Sequence, residues 1–127
     1  MRVKLATLGS ATALVLALGT AAAQPVSAAP AAGWDRCPNG SFCVFDGVDG
    51  TGTIAWFRSG SPDLRGQSMD NRTSSYWNRN GDQWALYDGY GYGSGCFTVH
   101  AGAQTNLPSR FPSLDNVFSS LKKGGCG

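Results

Sequence analysis

Two hexads, "DNRTSS" from Asp70 to Ser75 and "DNVFSS" from Asp115 to Ser120, share the pattern [Asp/Asn]-[Asp/Asn]-x-x-[Ser/Thr]-Ser. Their side chains offer carboxylate, amide and hydroxyl oxygens, and in a turn the intervening backbone carbonyls can aim at the same point. Such hard oxygens suit calcium, which takes roughly six to eight of them and tolerates irregular geometry. Asp46 and Asp88 each precede a glycine and are natural additional donors. With few formal charges at either point, the expected affinity is on the order of micromolar to millimolar. The same residue types also bond to nearby backbone, so a hexad fits equally well an Asx or Ser turn that starts a strand.

Other chemistry has less support. All eight acidic residues are Asp, and His100 is the single imidazole. There is no Gly-x-Ser-x-Gly elbow and no spacing that pairs His100 with a nucleophile, so the chain reads as a non-enzyme without a catalytic residue. "GYGYGSG", Gly89 to Gly95, lacks the Lys and following helix of a phosphate loop and reads as a hairpin. Trp34, Trp56, Trp77 and Trp84 suit either a sugar-stacking platform or, more often in a small β domain, core and rim packing. Cys37, Cys43, Cys96 and Cys126 are even in number and include no Cys-x-x-Cys pair, which favours two disulfides over zinc. Of the three connectivities open to four cysteines, one closes the short loop "CPNGSFC" on itself and leaves Cys96 for Cys126.

The elements that position these residues begin after residue 28. Residues 1–28 have Arg2 and Lys4 at the start, an apolar run from Ala11 to Leu18 and small residues at the end, as in a cleaved secretory signal. The run is too short to span a membrane. Residues 29–127 then form one small domain, secreted and extracellular. Without Arg2 and Lys4 its basic residues balance its eight acidic ones, so neither nucleic acid nor an anionic membrane is an expected partner, and a monomer is expected.

Helical periodicity is absent from this domain. Short β-prone runs remain: "FCVFD" (42–46), "TIAWFR" (53–58), "SSYWN" (74–78), "QWALYD" (83–88), "CFTVH" (96–100) and "NVFSSL" (116–121). They belong to a repeat. Val44 to Gly47 matches Leu86 to Gly89, and Phe57 to Gly60 matches Val99 to Gly102 at the same offset; after a drift of three residues the hexads match. Each half reads as about four strands, motif one at about 42–78 and motif two at about 84–121, which together make an all-β sandwich.

The repeat and its hexads resemble the βγ-crystallin family, whose Greek-key motifs pair into a two-sheet domain. The resemblance implies calcium, up to two ions. One would lie on Ser74 and the Arg72 carbonyl and the other on Ser119 and the Val117 carbonyl, with Asp46 and Asp88 as partners from the opposite half. Asn71 and Asn116 would ligate or support the loops. The family's hairpin has an aromatic where Gly50 stands in the first half and a glycine where Ser94 stands in the second.

The export signal, the early "CPNGSFCVFDG" cysteine loop and the crystallin-like body are together similar to actinobacterial secreted peptidase inhibitors directed at metalloproteases. That similarity implies an extracellular protease as partner, met by a substrate-like loop held rigid. The family's reactive bond lies in a second short cysteine loop, whereas Cys96 and Cys126 are far apart in sequence. "WNRNGDQW", Trp77 to Trp84, is an exposed-looking stretch that also joins the two halves. The alternative expectation is a calcium-binding extracellular module with no protease target.

Overall fold

The computed structural model describes residues 33–127. The export signal and its cleavage point lie outside the described residues. Eight strands form two antiparallel four-stranded sheets: β1 (Phe42–Phe45), β2 (Ile54–Phe57), β3 (Gly60–Ser61), β4 (Ser75–Asn78), β5 (Trp84–Tyr87), β6 (Cys96–Val99), β7 (Gln104–Asn106) and β8 (Ser120–Lys123). One sheet has the order β2-β1-β4-β7 and the other β3-β8-β5-β6. Each half therefore keeps three strands in one sheet and gives its third strand, β3 or β7, to the sheet of the other half.

Alternation along each strand decides what meets between the sheets. Phe42 and Val44 of β1, Tyr76 of β4, Trp84 and Leu86 of β5 and Leu121 of β8 are all buried in one core, with Phe42 stacked on Trp84 at 4.9 Å. Every residue of β1 is buried, although alternate residues of a strand point to opposite faces. Its outward pair, Cys43 and Phe45, joins Cys37 in a second small core roofed by Trp34, Ile54 and Trp77. The segment before β1 thus folds over the outer face of the first sheet. The disulfide Cys37–Cys43 holds it there, and Cys96–Cys126 ties the C-terminal tail to the start of β6.

Trp34 also explains the missing aromatic of the first hairpin. Tyr87 and Tyr92 pack edge to face at 5.8 Å in the second half, and Phe45 and Trp34 pack edge to face at 5.5 Å in the first. A Cβ on the buried Gly50 would stand 2.8 Å from the Trp34 backbone nitrogen. The glycine makes room for an aromatic supplied from outside the repeat.

Two sequence expectations are corrected. "NVFSSL" is a strand only from Ser120 onward, because the chain turns at Asp115 and Asn116, where Asn116 takes a left-handed backbone (φ 61°), and residues 117–119 lie outside the strand that follows. The stretch Trp77 to Trp84 is not exposed throughout, since Asn78 and Trp84 are both fully buried. The three-residue drift falls at the third strands: residues 58–59 join β2 to β3 where residues 100–103 join β6 to β7, and β7 is one residue longer than β3. The crossings that follow are equal in length and differ in form. The first half crosses from its third to its fourth strand through one 3-10 turn, Leu64–Gln67, whereas the second uses a short helix α1 (Leu107–Arg110) and a 3-10 turn, Pro112–Leu114.

Candidate functional site

The two hexads lie against each other. Asn71 and Asn116, each second in its hexad, have φ of 55° and 61°, a left-handed conformation that Asn tolerates better than most residues. In that conformation each backbone N–H reaches the other hexad, Asn71 donating to the Phe118 carbonyl at 2.9 Å and Asn116 to the Thr73 carbonyl at 3.0 Å. The fifth-position hydroxyls follow the same exchange. Ser74 Oγ lies 3.1 Å from Asn116 Oδ1, and Ser119 Oγ lies 3.4 Å from Asn71 Oδ1. The sixth-position serines instead close their own hairpins. Ser75 donates to the Gly47 carbonyl at 2.6 Å, and Ser120 donates to the Gly89 carbonyl at the same distance.

At Ser74 the oxygens crowd. Its hydroxyl also lies 2.7 Å from Asp115 Oδ1, and it has one proton to share between a carboxylate and an amide oxygen. The charge-assisted bond to Asp115 is the stronger claim on that proton, which leaves the Asn116 oxygen beside two others. In the first hexad, Asp70 Oδ2 accepts from the Tyr90 hydroxyl at 2.7 Å, and this bond raises the Tyr90 pKa. Asp70 Oδ1 is buried with no partner. The carbonyls of Arg72 and Val117 accept no hydrogen bond among the described residues.

Asp46 and Asp88 are held within their own halves. Asp46 Oδ2 receives Nη2 of Arg72 at 2.6 Å, while Nη1 of the same guanidinium donates to the Ser68 carbonyl at 2.9 Å. The hydrogen bond to Asp46 raises the Arg72 pKa. Asp88 Oδ1 accepts from the Gly95 N–H at 2.8 Å and closes its hairpin. The crossed contacts therefore run from hexad to hexad and from Tyr90 of the second hairpin to Asp70, and neither Asp46 nor Asp88 hydrogen-bonds to the opposite hexad. Among the described residues no group of three or more His, Cys, Asp or Glu is placed to hold a metal. A cation here would depend on hydroxyl, amide and carbonyl oxygens.

The connection between the halves forms a second constellation. Asn78 Nδ2 donates to the carbonyls of Asp82 at 2.8 Å and His100 at 3.1 Å, and its Oδ1 accepts from the Asn80 N–H. Asn80 in turn receives the Asp82 N–H at 3.0 Å and donates to the Gly40 carbonyl at 2.9 Å. Arg79 exchanges backbone bonds with Gly40 and Ser41, caps the Cys37 carbonyl at 2.8 Å and lies 4.5 Å over the Trp77 ring. Gly81, Asp82 and Gln83 project into solvent from this frame. The Asn-rich composition of the stretch was the available signal for such bracing; its docking on the cysteine loop had none.

The four tryptophans divide by place. Trp84 is in the core, Trp34 and Trp77 roof the second small core, and only Trp56 is well exposed, at 53%. His100 is exposed, with Nδ1 3.0 Å from Gln83 Nε2. All four cysteines are in disulfides, which belong with an oxidising compartment. Among the described residues no helix is long and apolar enough to cross a membrane.

The architecture is that of βγ-crystallin domains. A βγ-crystallin from Ciona intestinalis is 19% identical with a TM-score of 0.60, covering 67% of this chain and 100% of its own. One from an archaeon is 20% identical with a TM-score of 0.58, covering 68% and 100%. The N-terminal domain of Protein S is 22% identical with a TM-score of 0.54, covering 67% and 96%. No curated protein matches the chain. The profile of a peptidase inhibitor family, I36, matches residues 30–99, which take in the cysteine loop, the whole first motif, the connection and the start of the second. On that match over more than half of its length, the chain belongs to peptidase inhibitor family I36.

Proposed function

We propose that the protein is a secreted inhibitor of an extracellular metalloprotease, and that it offers the protease the connection Arg79–Gln83 mounted on the Cys37–Cys43 loop. The carrying observation, beside the family, is the bracing of that connection from both sides by Asn78, Asn80 and the cysteine loop. A loop ordered before it binds loses little further entropy in the cleft, so a small contact can bind tightly. Export is supported by the signal-like residues 1–28 and by the two disulfides.

The test is residual activity of a thermolysin-type metalloprotease and of a serine protease with the protein added to about 10 µM. Inhibition of the metalloprotease alone is expected. Asn80→Ala removes the braces to Gly40 and Asp82 and is expected to weaken inhibition about tenfold. No inhibition at micromolar protein overturns the proposal; inhibition that Asn80→Ala leaves unchanged keeps the inhibitor and discards this loop.

A second reading, a calcium-stabilised extracellular module, is supported by the three oxygens crowded at Ser74 and by the unpartnered Asp70 Oδ1. These fit a weak site for a hard cation. Ser74, Asn116, Asp115 and the Arg72 carbonyl would hold one ion, and Ser119, Asn71 and the Val117 carbonyl the other. Calcium would supply a charge that ties the two hexads together. At a hundred times its dissociation constant it would add about 2.7 kcal/mol of stability. A melting midpoint identical in calcium and in chelator reduces the hexads to turns.

A further inference from the structure

The two halves differ from each other at one edge of the sandwich. β6 and β7 are the edge strands of opposite sheets and are joined by residues 100–103. Between them opens a cavity of about 400 Å³, within the range of small-ligand sites. Its floor is aromatic, with Phe97 packed edge to face on Phe111 at 5.1 Å and tilted against Tyr76 at 6.3 Å. Arg110 and Phe111 lie at the end of α1, in the crossing that is helical in the second half and a 3-10 turn in the first. At the position matching Phe97, the first half carries the small residue Ala55.

The one charged side chain in this cavity is a cation, and its phenol is a donor beside it. Tyr76 is 97% buried by its 3% exposure, lines the cavity, and its hydroxyl makes no hydrogen bond among the described residues. Arg110 lines the same cavity and has no ion-pair partner among the described residues. His100 and Gln104 stand at the rim, and none of the lining residues is acidic. Burial raises the Tyr76 pKa, against a smaller opposing effect of the Arg110 charge, so the hydroxyl remains a donor at neutral pH. A guanidinium and a phenol above an aromatic floor are complementary to an anion at the end of an apolar body.

We propose that the cavity between β6 and β7 binds a carboxylate carried on an aromatic or branched apolar group, with Arg110 and the Tyr76 hydroxyl on the carboxylate and Phe97 and Phe111 against the apolar part. The ligand is either a free small carboxylate or the C-terminus of a peptide ending in an apolar residue. This proposal does not rest on the inhibitor reading: the rim residue His100 adjoins the connection through Asn78 and Gln83, but the side chains of Arg110 and Tyr76 make no hydrogen bond to residues 79–83.

The experiment is a titration of the protein with 3-phenylpropionate, with its neutral amide and with a short peptide ending in Phe, read from the backbone amide resonances of residues 97–111. Saturable shifts with the carboxylate and at least about tenfold weaker binding of the amide are expected. The tighter of the free acid and the peptide identifies the source. Arg110→Gln, at an exposed residue, is expected to weaken the carboxylate about tenfold and leave the amide unchanged; Tyr76→Phe, which keeps the ring in the core, is expected to weaken it several-fold. Absence of saturable shifts for both carboxylates, or equal affinity for acid and amide, overturns the proposal.

Discussion

Asn71 and Asn116 do at the scale of single residues what no β-branched residue could. Both hold a left-handed backbone and both hand an N–H to the opposite hexad. Asn116→Val is expected to cost about 1–3 kcal/mol, measured by urea denaturation, and Asn116→Gly much less. Arg72 has a different part: its guanidinium neutralises Asp46, the carboxylate otherwise free to serve a cation. If the hexads bind calcium, Arg72→Gln is expected to raise the affinity several-fold in a calorimetric titration while leaving the calcium-free melting midpoint near its original value. Asp63 caps the Leu64–Gln67 turn by accepting the Arg65 N–H, and its bonds to the Arg65 side chain hold its pKa below the ordinary 3.8. A depressed carboxylate contributes stability that is present above 3.8 and lost as pH falls through the lower folded value. Asp63→Asn should therefore flatten the dependence of the midpoint on pH below that point.

At the scale of elements, the first hairpin depends on a segment outside its own repeat. Trp34→Ala removes the ring that covers Phe45 and Trp77; a loss of about 2–3 kcal/mol is expected in denaturant, short of a fully buried tryptophan because Trp34 is half-buried. The strands with a clear apolar run were legible in the sequence, as was the doubling of the β unit. β3 and β7 were not, because "GS" and "QTN" are short and polar and carry no alternation to read. Residues 116–119 misled for the opposite reason: Val117 and Phe118 are β-prone, yet the left-handed Asn116 beside them turns the chain. The hexads announced an oxygen-rich pair of turns. Their reciprocal bonding, and the capture of Asp46 by Arg72, join residues far apart in sequence and left no local trace.

At the scale of the whole molecule, one core is shared by both halves, with Phe42 of the first stacked on Trp84 of the second. Unfolding is expected to be a single transition, with tryptophan fluorescence and far-ultraviolet dichroism coincident in denaturant. Two separated transitions would mean that the halves are energetically independent. Opening Cys96–Cys126 by paired Ser substitution is expected to lower stability by about 2–4 kcal/mol without splitting that transition.

The placement of β3 and β7 has a consequence for ancestry. A chain of one half alone would make a three-stranded sheet and leave its third strand with nothing of its own to pair with. Two copies would satisfy each other by mutual donation, a swapped dimer held by the same pairing. Joining those copies through a segment as short as Arg79–Gln83 turns an association that depends on concentration into one that does not. The second copy is then free to diverge, as the helical crossing with Arg110 and Phe111 has done.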